Sequence, residues 1–169
     1  MVEAMAESVL SNRTASGILR GSTCETSLFW EEKRHSEAFA CKARADIFDR
    51  QTKIIGDLKT CQDASPSAFA KDVWNHKYHW QAEWYLRGVR KLTGEDWTFV
   101  FIAVEKTPPF AVAVYVLAEG RNGHPVAIAT AQIEPLLDQY VECLKSDSWP
   151  GYSDRVQPLM LPGWAKKEE

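Results

Sequence analysis

The sequence predicts an α/β protein, with α+β as the neighbouring alternative: a central mixed β-sheet flanked by helices. Three observations carry that expectation. Residues 38–49 alternate, with Phe39, Cys41, Ala43, Ala45 and Ile47 on one face and Lys42, Arg44 and Asp46 on the other, the period of a half-buried strand. Residues 97–104 and 110–117 are continuous apolar runs, which suit strands covered on both faces. Between these groups lie helical stretches, and helices interrupting a mixed set of strands pack on its faces.

Taken in order, residues 2–10 read as a helix with Val2, Met5, Val9 and Leu10 as its apolar stripe. A break follows at Ser11-Asn12, and Thr14 is the expected cap of a second short helix ending before Gly21. Residues 24–31, with Leu28, Phe29 and Trp30, read as a first strand, and 31–36 as a polar turn. The long strand 38–49 then enters a hairpin through residues 49–52, so that Asp46 comes near Asp57 and Lys59 on the next strand. Ser65 and Pro66 start a helix running to about Trp74. A longer helix spans about 78–92 and stops at Gly94. On it Gln81 and Tyr85, four residues apart, point the same way. Thr107-Pro108-Pro109 separates the two apolar strands, and residues 120–123 form a turn. Residues 125–145 read as a helix with Pro135 as a kink or fresh start. The tail 148–164 keeps Trp149, Tyr152, Leu159, Leu161 and Trp164 and is expected to pack on the body.

A chain of 169 residues suggests one domain, residues 1–165, with 166–169 as a frayed tail. No apolar run is long enough to span a bilayer, and the N-terminus lacks the pattern of a signal peptide, so the expected location is cytoplasmic. Cys24, Cys41, Cys61 and Cys143 lie far apart without a C-x-x-C pair, which argues against a zinc ribbon, a thioredoxin-like site or a cluster, and for buried reduced thiols. The net charge is −3, yet residues 33–91 hold 12 Lys and Arg against 7 Asp and Glu. A positive middle on an acidic chain suits a local polyanion site, and a solvated mixed-charge surface equally.

The chemistry turns on Asp46, Asp57 and Lys59. Two carboxylates can hold Mg²⁺ or Mn²⁺ while water and substrate oxygens fill the remaining shell. Such an ion lowers the pKa of bound water and neutralises charge on a phosphate. Lys59 would orient that water or stabilise the phosphorus centre. On spacing alone, Asp-x-Lys favours the plainer alternative, a cross-strand salt bridge. Arg44, on the Asp46 face, suits bidentate contact with a phosphate or pairing with a neighbouring carboxylate.

Three stretches in this order give the spacing a context: Lys42-Ala43-Arg44-Ala45-Asp46, Ile54-Ile55-Gly56-Asp57-Leu58-Lys59-Thr60, and Gln81-Ala82-Glu83-Trp84-Tyr85. Together they resemble the PDDEXK nuclease superfamily, and within it the exodeoxyribonuclease VIII (RecE-type) family of phages and prophages. Glu25-Thr26-Ser27-Leu28-Phe29-Trp30, Asp63-Ala64-Ser65-Pro66 with Phe69, Val104-Glu105-Lys106 and Trp149-Pro150-Gly151-Tyr152 are similar to that family too. The resemblance implies a restriction-endonuclease-like core. It implies Asp46, Asp57 and the Leu58 carbonyl as metal ligands, Lys59 as the catalytic lysine, and Gln81 with Tyr85 supporting the lysine or the DNA backbone. It further implies a Mg²⁺- or Mn²⁺-dependent exonuclease on double-stranded DNA ends, 5′ to 3′, acting in phage-type recombination, with a ring-like homo-oligomer and a single-strand annealing protein as partner.

The sequence departs from the family at one point. A histidine on an upstream helix usually completes the metal site, and among the 45 residues before Asp46 the first histidine is His35, in an expected turn. Either a preceding N-terminal part carries that ligand, or the site uses fewer protein ligands. The alternatives to an active nuclease are a weak or inactive relative that binds DNA or protein, and an α/β interaction module in which Asp46, Asp57 and Lys59 form only an ion network.

Overall fold

The computed structural model describes residues 1–118 and 120–161. Two helices come first, α1 (Val2–Ser11) and α2 (Arg13–Gly21), then four strands, β1 (Thr26–Arg34), β2 (Glu37–Ala45), β3 (Ile47–Asp49) and β4 (Ile54–Cys61). Helices α3 (Pro66–Asn75) and α4 (Tyr78–Thr93) cross over to β5 (Thr98–Glu105), which is followed by β6 (Val112–Val116) and α5 (Pro125–Ser146). The expected α/β architecture, a mixed sheet between helices, is what the chain adopts: β3-β4-β5-β6, with β4 and β5 parallel and the other pairs antiparallel. β1 and β2 form a separate antiparallel ribbon.

Two apolar clusters hold the sheet from opposite faces. On one face Met5, Val9 and Ala15 of α1 and α2 pack on Ile47, Ile102 and Val104. On the other, Ile55, Phe99, Phe101 and Ala103 meet Phe69 of α3, Ala82 and Val89 of α4, and the inner face of the ribbon through Leu28, Trp30, Cys41, Ala43 and Ala45. β5 is buried along almost its whole length, as its continuous apolar run predicts.

Several local readings change. The strand expected over 38–49 is two strands, broken by a bend at Asp46. Ala45 and Ile47 are both fully buried, yet they belong to opposite clusters, so the chain changes sides of the sheet at the bend. Alternating burial alone does not reveal such a switch, because both sides are apolar. The turn expected over 31–36 shrinks to residues 35 and 36, with Glu31 and Glu32 inside β1. Asn12, not Thr14, caps α2: its side chain accepts from the N–H groups of Thr14 and Ala15, satisfying donors that a helix start leaves free. β6 is a half-buried edge strand, not one covered on both faces. α5 continues through Pro135. Cys41 and Cys61 are buried and free as expected, but Cys24 is exposed.

The tail is the largest correction. Residues 150–161 lie exposed, Tyr152, Val156 and Leu159 almost completely, and among the described residues of the tail only Trp149 makes an aromatic contact, with Tyr140. Trp164 and the tail 166–169 lie outside the described residues.

Gly56 marks the tightest passage next to the bend. A Cβ at this position would meet the Val100 carbonyl oxygen on β5 at 2.5 Å. Backbone hydrogen-bonded into a sheet cannot step aside as a side-chain tip can. Gly56→Ala is therefore expected to cost about 2 kcal/mol, in the range of overpacked interiors, read as a lower urea midpoint at unchanged slope. A midpoint equal to the parent's would refute this account of the passage.

Candidate active site

The ladder between β3 and β4 ends at Ile47↔Gly56, which sets Asp46 opposite Asp57 one step further on. With β3 ended, the Leu58 N–H on that edge of β4 has no strand partner, and Asp46 Oδ2 accepts it at 3.0 Å. The carboxylate thus stands in for the missing strand. In a strand the N–H and C=O of one residue point to the same side. The Leu58 carbonyl therefore turns toward the same edge.

Asp57 and Lys59 share the face of β4 that α4 covers. Asp57 is buried, and Lys59 Nζ lies 2.6 Å from its Oδ2. Gln81 closes the arrangement from α4: its Oε1 accepts from Lys59 Nζ at 2.9 Å, and its Nε2 donates to Asp57 Oδ1. An ammonium requires an acceptor and a carboxylate requires a donor, so the amide can sit only one way round. One turn further along α4, the Tyr85 hydroxyl donates to the Arg44 carbonyl at 2.8 Å, pinning the backbone just before Asp46. One helix thereby grips both acid-bearing strands.

Tyr78, three residues before Gln81 on the same helical face, belongs to this group and was not among the expected site residues. Lys59 Nζ sits 4.4 Å from the centre of its ring, a cation–π contact. Helical spacing from Gln81 back to the first turn is the signal that would have found it. Arg44 is not brought to the acids. Its guanidinium pairs with Glu25 at the exposed surface, the second of its two expected roles.

The histidines stay apart from the acids. His79 is buried between the Val73 carbonyl and Gln132, and His35 pairs with Asp138. His76 is exposed. Among the described residues no three His, Cys, Asp or Glu side chains gather around one point. The oxygens that could hold an ion are those of the two carboxylates and the Leu58 carbonyl. That set suits a hard ion that keeps several waters, as Mg²⁺ does, and does not suit a closed zinc site. A carboxylate has about four lone-pair directions, so Asp57 can keep Lys59 and Gln81 and still offer an oxygen to a cation.

Burial pushes the Asp57 carboxyl above its ordinary value. Lys59 pulls it back through a hydrogen bond and its charge, Asp46 pushes it up again, and Gln81 pulls it down, with a net rise. Burial likewise raises the Tyr78 phenol, so its ring faces Lys59 as a neutral group.

Residues 1–161 match the family described as a PDDEXK-like domain of unknown function, and the chain belongs to it. A search of curated proteins finds no match. Among solved structures, that of a "Putative exonuclease" from Eubacterium rectale aligns with a TM-score of 0.68 at 15% identity, covering 98% of this chain and 64% of that one. The chain therefore spans less than two thirds of that protein's length, and the likeness is one of fold. The structure of SSO0001 aligns at 0.48 with 17% identity, over 82% of this chain and 57% of that one, and carries no argument.

The raised Asp57 carboxyl fixes the sign of a pH effect. A folded-state pKa above the unfolded one stabilises the fold below the ordinary value, 3.8, and that contribution is lost as pH rises through the folded value. Asp57→Asn removes the titration. In EDTA, the variant's stability relative to the parent is expected to improve from pH 4 to pH 7 in urea melts. A relative decline over that window would show that Asp57 is stabilised as a charge, against this reading.

Proposed function

We propose that this PDDEXK-like chain is a metal-dependent deoxyribonuclease, an exonuclease acting on the ends of double-stranded DNA, in the manner of the RecE-type family it resembles. The observation that carries the reading is the nearness of Asp46, at the bend before β3, to Asp57 on β4, with Lys59 and Gln81 fastened to the second. The Eubacterium rectale protein that shares this fold, described as an exonuclease, supports the choice of an exonuclease. The setting in phage-type recombination, the annealing partner and the ring-like assembly are proposed on the resemblance.

Asp46, Asp57 and the Leu58 carbonyl would hold Mg²⁺ or Mn²⁺, which supplies water activation and charge neutralisation at the phosphate. The chain's own contribution is positioning. Lys59, held by Asp57, Gln81 and the Tyr78 ring, presents a fixed positive charge where a phosphate oxygen gains negative charge. Gln81 keeps that ammonium from drifting when Asp57 engages a cation. Tyr85, through the Arg44 carbonyl, holds the bend that aims Asp46. Hydrolysis then forms one bond from water oxygen to phosphorus and breaks the bond to the departing sugar oxygen, which takes up a proton.

A second reading rests on the small donor set. With two carboxylates and no histidine at the site, a relative that binds DNA and turns it over slowly or not at all has the same geometry.

Two measurements separate these readings. Lys59→Ala is expected to lower Mg²⁺-dependent degradation of linear duplex DNA by about 10²–10⁴-fold, the usual worth of one positioned catalytic side chain, with its circular dichroism unchanged. Degradation at the parental rate would remove Lys59 from the mechanism. Mn²⁺ should raise the parent's melting temperature by linkage and leave that of Asp46→Asn unmoved. A parent that binds DNA and shows neither a Mn²⁺ shift nor cleavage supports the second reading.

A further inference from the structure

The corner between α3 and α4 lies beside Lys59 and, Tyr78 apart, is built from residues that the site described above does not use. Trp74 lies in the last turn of α3, His76 is its C-terminal cap, Lys77 is the N-terminal cap of α4, and Tyr78 is that helix's first residue. The Tyr78 ring takes the Lys59 ammonium at 4.4 Å and stacks with the His76 ring at 5.3 Å and 26°. Those two contacts place the His76 ring within 10 Å of the Lys59 ammonium. That is about the reach of one nucleotide from the phosphate Lys59 would meet.

His76 is exposed, and its ring makes no hydrogen bond among the described residues. With Tyr78 beneath it, its outer face is open. Trp74 is less available, because His79 stacks on it at 5.3 Å and Lys77 lies over it at 4.6 Å. Lys77 carries a second, independent observation. Its φ is +58°, in the left-handed region that suits glycine, and it caps α4 without any side-chain hydrogen bond. A lysine held there against backbone preference, its ammonium set over Trp74 and also 5.6 Å from Trp80, is an ordered cation at the surface. Besides Asp57 of the site, Asp72 is the acid whose charge reaches Tyr78. It would repel a phosphate laid on α3 but does not oppose an uncharged base on His76.

We propose that this corner is a nucleobase-stacking site: His76, backed by Tyr78, stacks the base beside the phosphate at Lys59, and Lys77 meets the next phosphate. The proposal rests on the reading of Asp46 and Asp57 as a phosphodiester-cleaving site and adds which part of the DNA is gripped. Stacking on aromatic faces tolerates any base, so the site predicts grip at a strand end without sequence preference.

The test uses the whole chain in EDTA with short duplexes carrying 2-aminopurine at one of the last three nucleotides of each strand in turn. One position is expected to lose fluorescence on binding. His76→Ala should abolish that quenching and weaken binding by about fivefold or more, while His76→Phe retains both. Lys77→Gly, which also relieves the backbone, should lower the slope of log affinity against log salt by about one. No quenching at any position, or quenching unchanged in His76→Ala, overturns the proposal. Cleavage in Mg²⁺ is measured alongside. A parent that cuts without quenching overturns the stacking site alone, and one that quenches without cutting supports the stacking site and overturns the cleavage reading.

Discussion

The arrangement depends on one unpaired backbone donor. β3 is three residues long and ends before β4 does, which leaves the Leu58 N–H facing an open edge. A backbone donor left without a partner costs more than most single contacts return. Asp46 supplies the partner, and doing so requires the chain to bend at Asp46 and leave the ribbon for the sheet. The bend that satisfies the donor also brings one carboxylate opposite another. Local hydrogen-bond accounting and the geometry of the site are thus the same event.

The second carboxylate is kept where a charge is unwelcome. Burial raises Asp57 even with a lysine against it. An ammonium and an amide hold it in place without bringing it back to its ordinary value. A group so poised favours neutralisation by something more strongly charged, and a divalent cation meets that need better than one lysine does. The proposed cation site would thus lie where burial makes a lone carboxylate costly.

Much of this was legible in the sequence. The hairpin, the shared face of Asp57 and Lys59, and the common direction of Gln81 and Tyr85 follow from periods of two and of about four residues. What escaped was non-local. The switch of sides between Ala45 and Ile47 is hidden because both neighbours of the bend are apolar and both ends bury. Tyr78 looked like the start of a packing helix, since nothing in its own spacing shows a lysine above its ring. Which carboxylate Arg44 would pair with was hidden, because Glu25 is nineteen positions away and meets it only once β1 and β2 pair. The tail looked like packing material on composition, yet composition does not provide a surface for it to cover.

The remaining question is what holds α4 in register, since its inner stripe must deliver Gln81 to Asp57. One residue of slippage moves a helix about 1.5 Å along its axis, enough to lose both bonds of the amide. The outer side of α4 supplies the restraint. Arg87 bridges Glu83 on its own helix and Glu134 on α5, and Arg34 of β1 reaches Glu134 and Asp138 on α5. Burial raises Glu83 despite Arg87, and one of its oxygens has no hydrogen-bond partner among the described residues, so the network is a costly way to gain stability. Buried ion pairs contribute more clearly to register than to free energy. A set of bridging guanidinium contacts spanning three elements has few alternative positions, unlike an apolar seam that can slide by a methylene. The charged side of α4 thereby fixes where its other side places the amide, and the chemistry on β4 is set by a network that never touches it.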